Sequence, residues 1–232
     1  MPDLTGLGTS EATWAADSSL AQLPALEWSE LSQAARVVVI APHPDDEVLG
    51  LGGVIALLAR QRVPVVIVAV TDGERSHPER AEELRVVRDR ERARALEELG
   101  CLAQVHRLGL PDGGVTAAAL RPELARVITS EDAVVAPWEQ DGHPDHDACA
   151  EAAAGLGRAR WSYVVWGWHW CAPEAFPIAR ARQVRLDDGA LAAKQRAVQA
   201  FVSQLEGEDP VLPPHVLARF LRPAEVLLEA AP

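Results

Sequence analysis

Residues 37–47, VVVIAPHPDDE, join the pattern of a buried strand to that of a polar loop. The first part of this stretch is continuous, apolar and β-branched, as is typical of a strand that is covered on both faces of a parallel sheet. His43, Asp45 and Asp46 follow as soon as the apolar run ends. Packing alone gives no reason to place three titratable groups there. We therefore predict a central strand at residues 37–41 and a functional loop directly after it.

The rest of the chain alternates strands with helices. Short apolar runs predict strands, and longer amphipathic or charged stretches predict helices. The predicted strands are residues 65–70, 104–108, 133–136, 163–169 and 183–186, and the predicted helices are residues 47–62, 79–99, 120–129, 189–205 and 214–220, with one more that opens after residues 141–146. This alternation is typical of an α/β fold, so we expect a three-layer sandwich around a mainly parallel, Rossmann-like sheet.

The length of the chain, 232 residues, suits one well-buried α/β domain and leaves little room for a second. We place that single domain at residues 36–232. Residues 1–35 mix polar residues with isolated apolar ones, but they include Trp14 and Trp28. We therefore predict that residues 1–35 form an N-terminal arm that packs on the domain.

The composition of the chain argues against several classes of protein. There are 22 Lys and Arg residues against 34 Asp and Glu residues, a formal net charge of −12. A nucleic-acid binder neutralises phosphates with clustered basic residues, so we expect no nucleic-acid partner. No stretch approaches the length of a membrane span and no secretory leader is recognisable, which predicts a cytoplasmic protein. The three cysteines lack CxxC spacing, so we expect neither a disulfide scaffold nor a thiolate zinc site.

Two loops rich in His and Asp indicate a metal site. His43 and Asp46 are three residues apart after the first strand, and His143 and His146 repeat this spacing after the fourth. Ligands of open α/β sheets bind where the carboxyl ends of the strands meet, so we expect the two loops to form one cluster. Imidazole and carboxylate groups without thiolate favour Zn²⁺ or another divalent transition metal, and three protein ligands would leave a position open for water.

The remaining groups of these loops suggest catalysis. Asp45 is placed to accept a proton from a water that the metal activates, and His143 could stabilise an oxyanion or protonate a leaving amine. Asp145 could orient His143 by a hydrogen bond to the far nitrogen of its ring. A simpler interpretation of Asp45 and Asp46 is N-capping of the following helix, which explains one of them but not both together with His43.

Substrate contacts are predicted from two further segments. Arg75 and Arg80 lie in a charged loop after the second strand, where they could bind a polar group of a substrate or remain solvated. On the predicted strand at residues 163–169, the aromatic run includes Trp168 and His169, which could form a wall of a sugar or acyl pocket. Ordinary core packing is an equally good interpretation of these aromatic residues.

A dinucleotide site is the strongest rival to a metal site, because the sequence GLGG at residues 50–53 follows the first strand. The third glycine of the GxGxxG pattern is missing, since Ile55 stands there, and the glycines lie within the predicted helix. Asp45 and Asp46 also occupy the place where a pyrophosphate would meet free N–H groups. We reject this rival. A non-catalytic metal-binding or ligand-binding protein remains an alternative, against which the presence of Asp45 and His143 argues.

Several motifs of the chain are similar to those of a known family. The sequences APHPDDE at residues 41–47 and HPDH at residues 143–146 resemble the two signature motifs of the PIG-L/LmbE-like zinc-dependent N-acetylglucosaminyl de-N-acetylases. Softer landmarks agree with this resemblance, namely TDGE at residues 71–74, Arg88-x-x-Glu91, LPDG at residues 110–113, Lys194 and Ser203-Gln204. The resemblance covers about residues 36–229. Pro42 departs from the usual motif, but the spacing within HPDDE is unchanged.

The resemblance implies a ligand set and a reaction. His43, Asp46 and His146 would hold zinc, Asp45 would be the general base, and His143 would act as oxyanion stabiliser or acid. The implied reaction is hydrolysis of an N-acyl group, N-acetyl above all, from an amino sugar or a glycosylated small molecule. The sequence leaves open the substrate, the acyl chain length and whether copies of the chain form a homo-oligomer.

Overall fold

Seven strands form one sheet in the part of the chain that the structure, a computed structural model, describes: residues 6–27, 29–207 and 210–230. The strands are β1 (Val37–Ala41), β2 (Val65–Thr71), β3 (Gln104–Leu110), β4 (Ala133–Pro137), β5 (Ala159–Tyr163), β6 (Ala181–Arg185) and β7 (Ala224–Glu229). Their order is β3-β2-β1-β4-β5-β7-β6, and β7 alone runs antiparallel to its neighbours. The prediction of a mainly parallel α/β sheet is confirmed.

Helices cover both faces of this sheet. They are α1 (Glu11–Ala16), α2 (Ser18–Ala21), α3 (Ser29–Ser32), α4 (Asp46–Arg60), α5 (Ala81–Glu98), α6 (Ala117–Val127), α7 (Pro144–Ala153), α8 (Gly167–Trp170), α9 (Asp188–Val198), α10 (Val202–Leu205) and α11 (Pro214–Leu217), with 3₁₀ turns at Glu74–Ser76, Pro78–Arg80, Pro173–Ala175, Ile178–Arg180 and Ala218–Phe220. The larger core joins one face of the sheet to α4, α5 and α9, and the smaller core joins the other face to α6 and α7. These are the three layers of the predicted sandwich.

The central position of β1 explains its sequence. All five residues of β1 are buried, and the strand pairs in parallel with β2 on one side and β4 on the other. A strand covered on both faces needs apolar side chains throughout. The chain leaves β1 toward β2 but returns on the other side of it as β4. The loops after these strands therefore open a crevice at the carboxyl edge of the sheet, where ligands of such folds bind.

The glycines of α4 serve packing. A Cβ at Gly50 would lie 2.3 Å from Cδ2 of Tyr163, whose hydroxyl donates to the carbonyl of Ile40. We expect Gly50→Ala to lower the free energy of unfolding by about 1–3 kcal/mol, because the added methyl group overpacks a core that cannot yield. Thermal unfolding would measure the loss. Gly52→Ala is the matched control, since its Cβ would have more room, with Cγ of Lys194 as the nearest atom at 3.0 Å, and an equal loss in both variants would contradict the packing argument.

The prediction of a strand at residues 163–169 is wrong. The strand β5 ends at Tyr163, and residues 167–170 form the helical turn α8. Aromatic and β-branched residues favour strands, but here the buried carboxylate of Asp141 accepts the N–H groups of three successive residues, Val165, Trp166 and Gly167, and turns the chain. Trp168 and His169 therefore lie in a helical turn and not on a strand.

Two further features at the C-terminal end differ from expectation. The predicted helix at residues 189–205 is two helices, because α9 ends at Val198 and α10 begins at Val202. Glu91 of α5 accepts hydrogen bonds from the N–H and the hydroxyl of Ser203, which holds the first turn of α10. The strand β7 was not predicted; it enters the sheet between β5 and β6 through contacts distant in the sequence.

The described part of the N-terminal arm lies on the domain. Trp14 is 1% exposed, and its indole ring meets the rings of Trp168 and Phe176 edge-on at 5.0 and 5.6 Å. Trp28 and residues 1–5 lie outside the described residues, so the expectation for Trp28 stays a prediction. Among the described helices, none combines the length and the apolar character that crossing a membrane requires.

Candidate metal centre and active site

Three side chains converge at the carboxyl edge of β1 and β4. Nδ1 of His43 and Nε2 of His146 lie 3.1 and 3.2 Å from the same carboxylate oxygen of Asp46, and the two nitrogens lie 3.4 Å apart. The loop after β1 supplies His43, the first turn of α4 supplies Asp46, and α7 supplies His146. The predicted ligand set therefore forms a small triangle of two ring nitrogens and one carboxylate oxygen.

The triangle fits a tetrahedral metal ion. Ligand atoms about 2.0 Å from a tetrahedral zinc ion are about 3.3 Å apart, which matches the three measured separations. The donor set of two imidazoles and one carboxylate suits zinc and related transition metals. His143 stands beside the triangle, with a ring nitrogen within 4.8 Å of those of His43 and His146. With three protein ligands, a tetrahedral ion would keep one position for water.

Buried carboxylates orient both histidines from behind. Nδ1 of His146 donates to Asp141 at 2.8 Å, and Nε2 of His43 faces Asp112 at 3.2 Å and Asp145 at 3.3 Å. A ring nitrogen that donates to a carboxylate leaves the other nitrogen unprotonated and free to bind a metal. With a metal bound, the nitrogen of each ring that faces Asp46 would be the unprotonated one.

The electrostatics of this cluster favour a cation. Burial disfavours the charged form of His146, but Asp46 and Asp141 outweigh it and raise the pKa of His146 to about 9. Burial likewise opposes the charge of His43, yet hydrogen bonds to Asp112, Asp145 and Asp46 raise its pKa well above the usual value. In the metal-free protein the carboxylates thus hold protons on both rings. A divalent cation would meet the same negative surroundings.

Asp45 is not one of the three atoms of the ligand triangle and is held by an arginine. Nη2 of Arg88 donates to the carboxylate of Asp45 at 2.7 Å and to the carbonyl of Pro44 at 3.2 Å, while Nη1 donates to the carbonyl of Gly73 at 2.8 Å. Burial raises the pKa of Asp45 to about 6 against the opposing charge of Arg88. Arg88 reaches this position from the middle of α5 and fixes the loop after β1.

His143 is oriented differently from the prediction. Its Nδ1 accepts the backbone N–H of Asp145 at 3.2 Å, as an N-cap of α7, so Nε2 carries the ring proton. The carboxylate of Asp145 accepts the N–H groups of Gly113 and Val115 and faces His43 instead. The expectation that the Asp145 side chain holds the His143 ring is therefore wrong. Burial and the neighbouring histidines lower the pKa of His143 to about 4, so the neutral ring is a hydrogen-bond donor.

The triangle opens into a cleft of about 390 Å³. Its lining includes the polar residues Arg75, Ser76 and Gln204 and the apolar residues Leu49, Trp166, Val211 and Leu212. The backbone N–H of Arg75 donates to the Asp112 carboxylate at 2.8 Å. A lining that contains both polar and apolar side chains suits an amphipathic ligand such as a sugar derivative.

The other predicted substrate contacts lie elsewhere. Arg80 is exposed and pairs with Glu83 at 2.9 Å. Trp168 is buried against Trp14 and Phe176, and neither Trp168 nor the buried His169 is among the described residues that line the cleft. The aromatic residue that lines the cleft is Trp166, because α8 is helical rather than extended.

Asp147, in the first turn of α7, faces a different space. It lines a separate cleft of about 320 Å³ beside α7, β4 and β5, together with Glu139 and Glu151. Asp147 therefore differs from Asp145, which lies two residues earlier and belongs to the centre. Glu47 is fully buried behind the loop, where burial raises its pKa to about 7.

The residues of this centre lie in the part of the chain that matches a known family. Residues 38–156 match the PIG-L family, described as GlcNAc-PI de-N-acetylase, and these are about half of the chain. The chain belongs to the PIG-L family. The matched PIG-L segment contains the three ligand candidates, His43, Asp46 and His146, as well as Asp45 and His143.

Individual relatives agree with this membership. The chain is 34% identical over 120 residues to diacetylchitobiose deacetylase of Thermococcus kodakarensis, which covers 48% of this chain and 45% of the relative. It is 32% identical over 129 residues to the probable N-acetyl-alpha-D-glucosaminyl L-malate deacetylase 2 of Bacillus subtilis, covering 50% and 58%. The matched part thus spans about half the length of these curated relatives.

A solved structure has the same fold. N,N'-diacetylchitobiose deacetylase from Pyrococcus horikoshii superposes with a TM-score of 0.62 at 24% identity, covering 78% of this chain and 74% of that one. At this identity the likeness shows the fold alone.

Three residues of this PIG-L site were not assigned a role from the sequence. Asp112 and Asp141 hold the far nitrogens of the two histidines, and Arg88 holds Asp45. Arg88 and Asp112 belong to motifs that carried the family resemblance, but the resemblance did not assign a role to either residue. Asp141 stands five residues before His146, and only the folded chain brings its carboxylate to that ring.

Proposed function

We propose that this chain is a metal-dependent hydrolase that removes an N-acyl group, N-acetyl above all, from an amino sugar or a glycosylated small molecule. One observation carries the proposal: two oriented imidazoles and one carboxylate oxygen lie 3.1–3.4 Å apart at the base of a cleft that Asp45 and His143 also line. A site that only stored a metal would have no use for these two groups.

The protein side of the mechanism begins with binding. His43, Asp46 and His146 would hold zinc or another divalent transition metal, with Asp112, Asp145 and Asp141 orienting the two rings. When bound, such a metal acts as a Lewis acid, which makes a water more acidic and an amide carbonyl more electrophilic.

Two other residues handle the proton and the developing charge. Asp45 accepts a proton from the water that attacks the amide carbon, while Arg88 keeps the carboxylate in place. The Nε2–H group of neutral His143 donates to the carbonyl oxygen as negative charge develops there. The C–N bond then breaks, the nitrogen leaves as the free amine with the transferred proton, and the acyl carbon leaves as a carboxylate.

The substrate class follows from the cleft and the relatives. The names of both curated relatives describe acetylated glucosamine compounds. A sugar ring presents hydroxyl groups on its edge and an apolar surface on its face, which suits a cleft lined both by polar residues such as Arg75 and Gln204 and by apolar ones such as Leu49 and Trp166.

An amine-release assay tests the proposal. The purified chain should release one amine and one acetate per turnover from N-acetylglucosamine or its glycosides. Chelation should abolish the activity and added Zn²⁺ should restore it, with metal content measured in each state. Absence of amine release from the zinc-loaded protein with every N-acetylated sugar would overturn the proposed class, and activity in a sample shown to be metal-free would overturn the mechanism.

A further inference from the structure

The short helix α8 contacts the candidate metal centre through Asp141. The carboxylate of Asp141 accepts the N–H groups of Val165, Trp166 and Gly167 at 3.0, 2.9 and 2.9 Å, and accepts Nδ1–H of His146 at 2.8 Å. Both oxygens are used and the side chain is fully buried. The orientation of the His146 ring therefore depends on where the start of α8 lies.

The N-terminal arm binds the other end of this helix. Nε1 of Trp14 donates to the carbonyl of Trp168 at 2.8 Å. Thr9 makes two more hydrogen bonds: its N–H donates to the carbonyl of His169 at 2.7 Å, and the Thr9 hydroxyl donates to the carbonyl of Cys171 at 2.9 Å. The last carbonyls of a helix have no partner within it. Residues of the arm supply these partners for α8.

Other contacts hold the arm in this position. Arg222 pairs with Glu11 at 2.6 Å and lies over the ring of Trp168 at 4.4 Å. Nε of Arg219 donates to the carbonyl of Thr9 at 2.7 Å. Gly8 has a φ of +57°, and a Cβ there would lie 2.5 Å from the carbonyl oxygen of His169. The contact between the arm and α8 therefore leaves no room for a side chain at this position.

We propose that the N-terminal arm, residues 6–17, is a positioning element of the metal centre. It holds α8, α8 holds Asp141, and Asp141 orients the metal ligand His146. The inference rests on the proposed function only in taking His146 as a metal ligand. The arm lies outside residues 38–156, the segment that matches the PIG-L family.

The size of α8 explains why it needs such support. A helix of four residues makes few internal hydrogen bonds and is not stable by itself. Its geometry depends on contacts with groups outside it, among them Asp141 at the start and the arm at the end. If the arm separates from α8, the three N–H groups that hold Asp141 lose their fixed positions, and so does the hydrogen bond to His146.

A pair of glycine variants distinguishes the effect of the contact between the arm and α8 from the effect of backbone strain. Gly8→Ala places a methyl group against α8, whereas Gly6→Ala imposes the same left-handed strain, with a φ of +75°, but its Cβ meets no atom within 4 Å. We expect Gly8→Ala to raise the Kd for Zn²⁺ of the full chain about threefold to tenfold, below the full effect of a group that contacts the ligand directly. Gly6→Ala should leave the Kd unchanged.

A pair of tryptophan variants removes one hydrogen bond with little change of volume. Trp14→Phe deletes the donor to the Trp168 carbonyl. Trp161→Phe is the matched control, because Trp161 is also buried but its indole nitrogen has no hydrogen-bond partner among the described residues. We expect a weaker Zn²⁺ affinity in the first variant only, by about threefold, with both variants folded by circular dichroism.

The outcomes distinguish this inference from the proposed function. If Gly8→Ala and Trp14→Phe are folded and bind Zn²⁺ as tightly as the wild type, the role of the arm is overturned while the hydrolase proposal stands. If the wild type binds Zn²⁺ but hydrolyses no N-acyl sugar, and the two variants bind Zn²⁺ more weakly than their controls, the arm inference holds and the proposed reaction fails. A wild-type chain that binds no transition metal overturns both.

Discussion

Asp45→Asn is expected to lower kcat about a thousandfold while the purified protein still binds one metal ion per chain. The amide oxygen of asparagine can still accept the hydrogen bond that Arg88 donates at 2.7 Å, so the loop after β1 keeps its position. An amide cannot take a proton from water, and loss of general base catalysis has this magnitude. Steady-state kinetics and metal analysis of the same preparation would measure the two quantities.

Asp147→Asn is the matched control for this variant. Asp147 lies one residue after the ligand candidate His146 in α7, but it lines the separate cleft beside that helix. The control loses the same charge, so it reports any general effect of net charge on substrate binding, and its kcat should stay near that of the wild type. A wild-type kcat in Asp45→Asn would contradict its role as the base, and a loss of metal would instead make it part of the binding set.

Asp141→Asn is expected to weaken Zn²⁺ binding by about 10- to 100-fold, the range for residues that orient a metal ligand from behind. The carboxylate accepts one hydrogen bond from His146 and three from backbone N–H groups. In asparagine an NH₂ group replaces one of the two carboxylate oxygens. This group is itself a donor, so it cannot accept the hydrogen bond of the N–H group that faces it. The His146 ring then loses its fixed orientation. Competition with a chelating indicator would give the Kd.

Asp132→Asn is the control for a buried aspartate far from the metal centre. Asp132 is fully buried, pairs with Arg36 at 2.6 Å and accepts the N–H of Thr129 at 2.8 Å. Its replacement should lower the melting temperature without changing the Kd for Zn²⁺. If Asp141→Asn binds Zn²⁺ as tightly as Asp132→Asn, then Asp141 stabilises the fold but does not orient His146.

Features with a local cause were predictable from the sequence. The run before Ala41 predicted β1 with its observed bounds, because a strand buried on both faces needs apolar residues throughout. The spacing of His43 with Asp46, and the loop with His146, pointed to one cluster because the carboxyl ends of neighbouring parallel strands meet. The α/β class followed from the alternation of elements.

The errors of prediction arose where a distant residue overrides local preference. Residues 163–169 have the composition of a strand. The buried carboxylate of Asp141, however, accepts three of their backbone N–H groups, and the chain turns into α8. The carboxylate of Asp145 was expected to accept a hydrogen bond from His143. It instead accepts the N–H groups of Gly113 and Val115, which hold it beside His43. No local pattern encodes such contacts.

The sequence by itself determined the class of the fold, the central strand and the kinds of side chain at the carboxyl edge of the sheet, since these depend on periodicity and on residue chemistry. Only the tertiary structure decided which carboxylate stands behind which histidine, which aromatic residue lines the cleft, and what the N-terminal arm contacts. The physical reason is that hydrogen bonds and packing act over a few ångströms in space. The pairs Asp112 with His43 and Trp14 with Trp168 become neighbours only when the chain has folded.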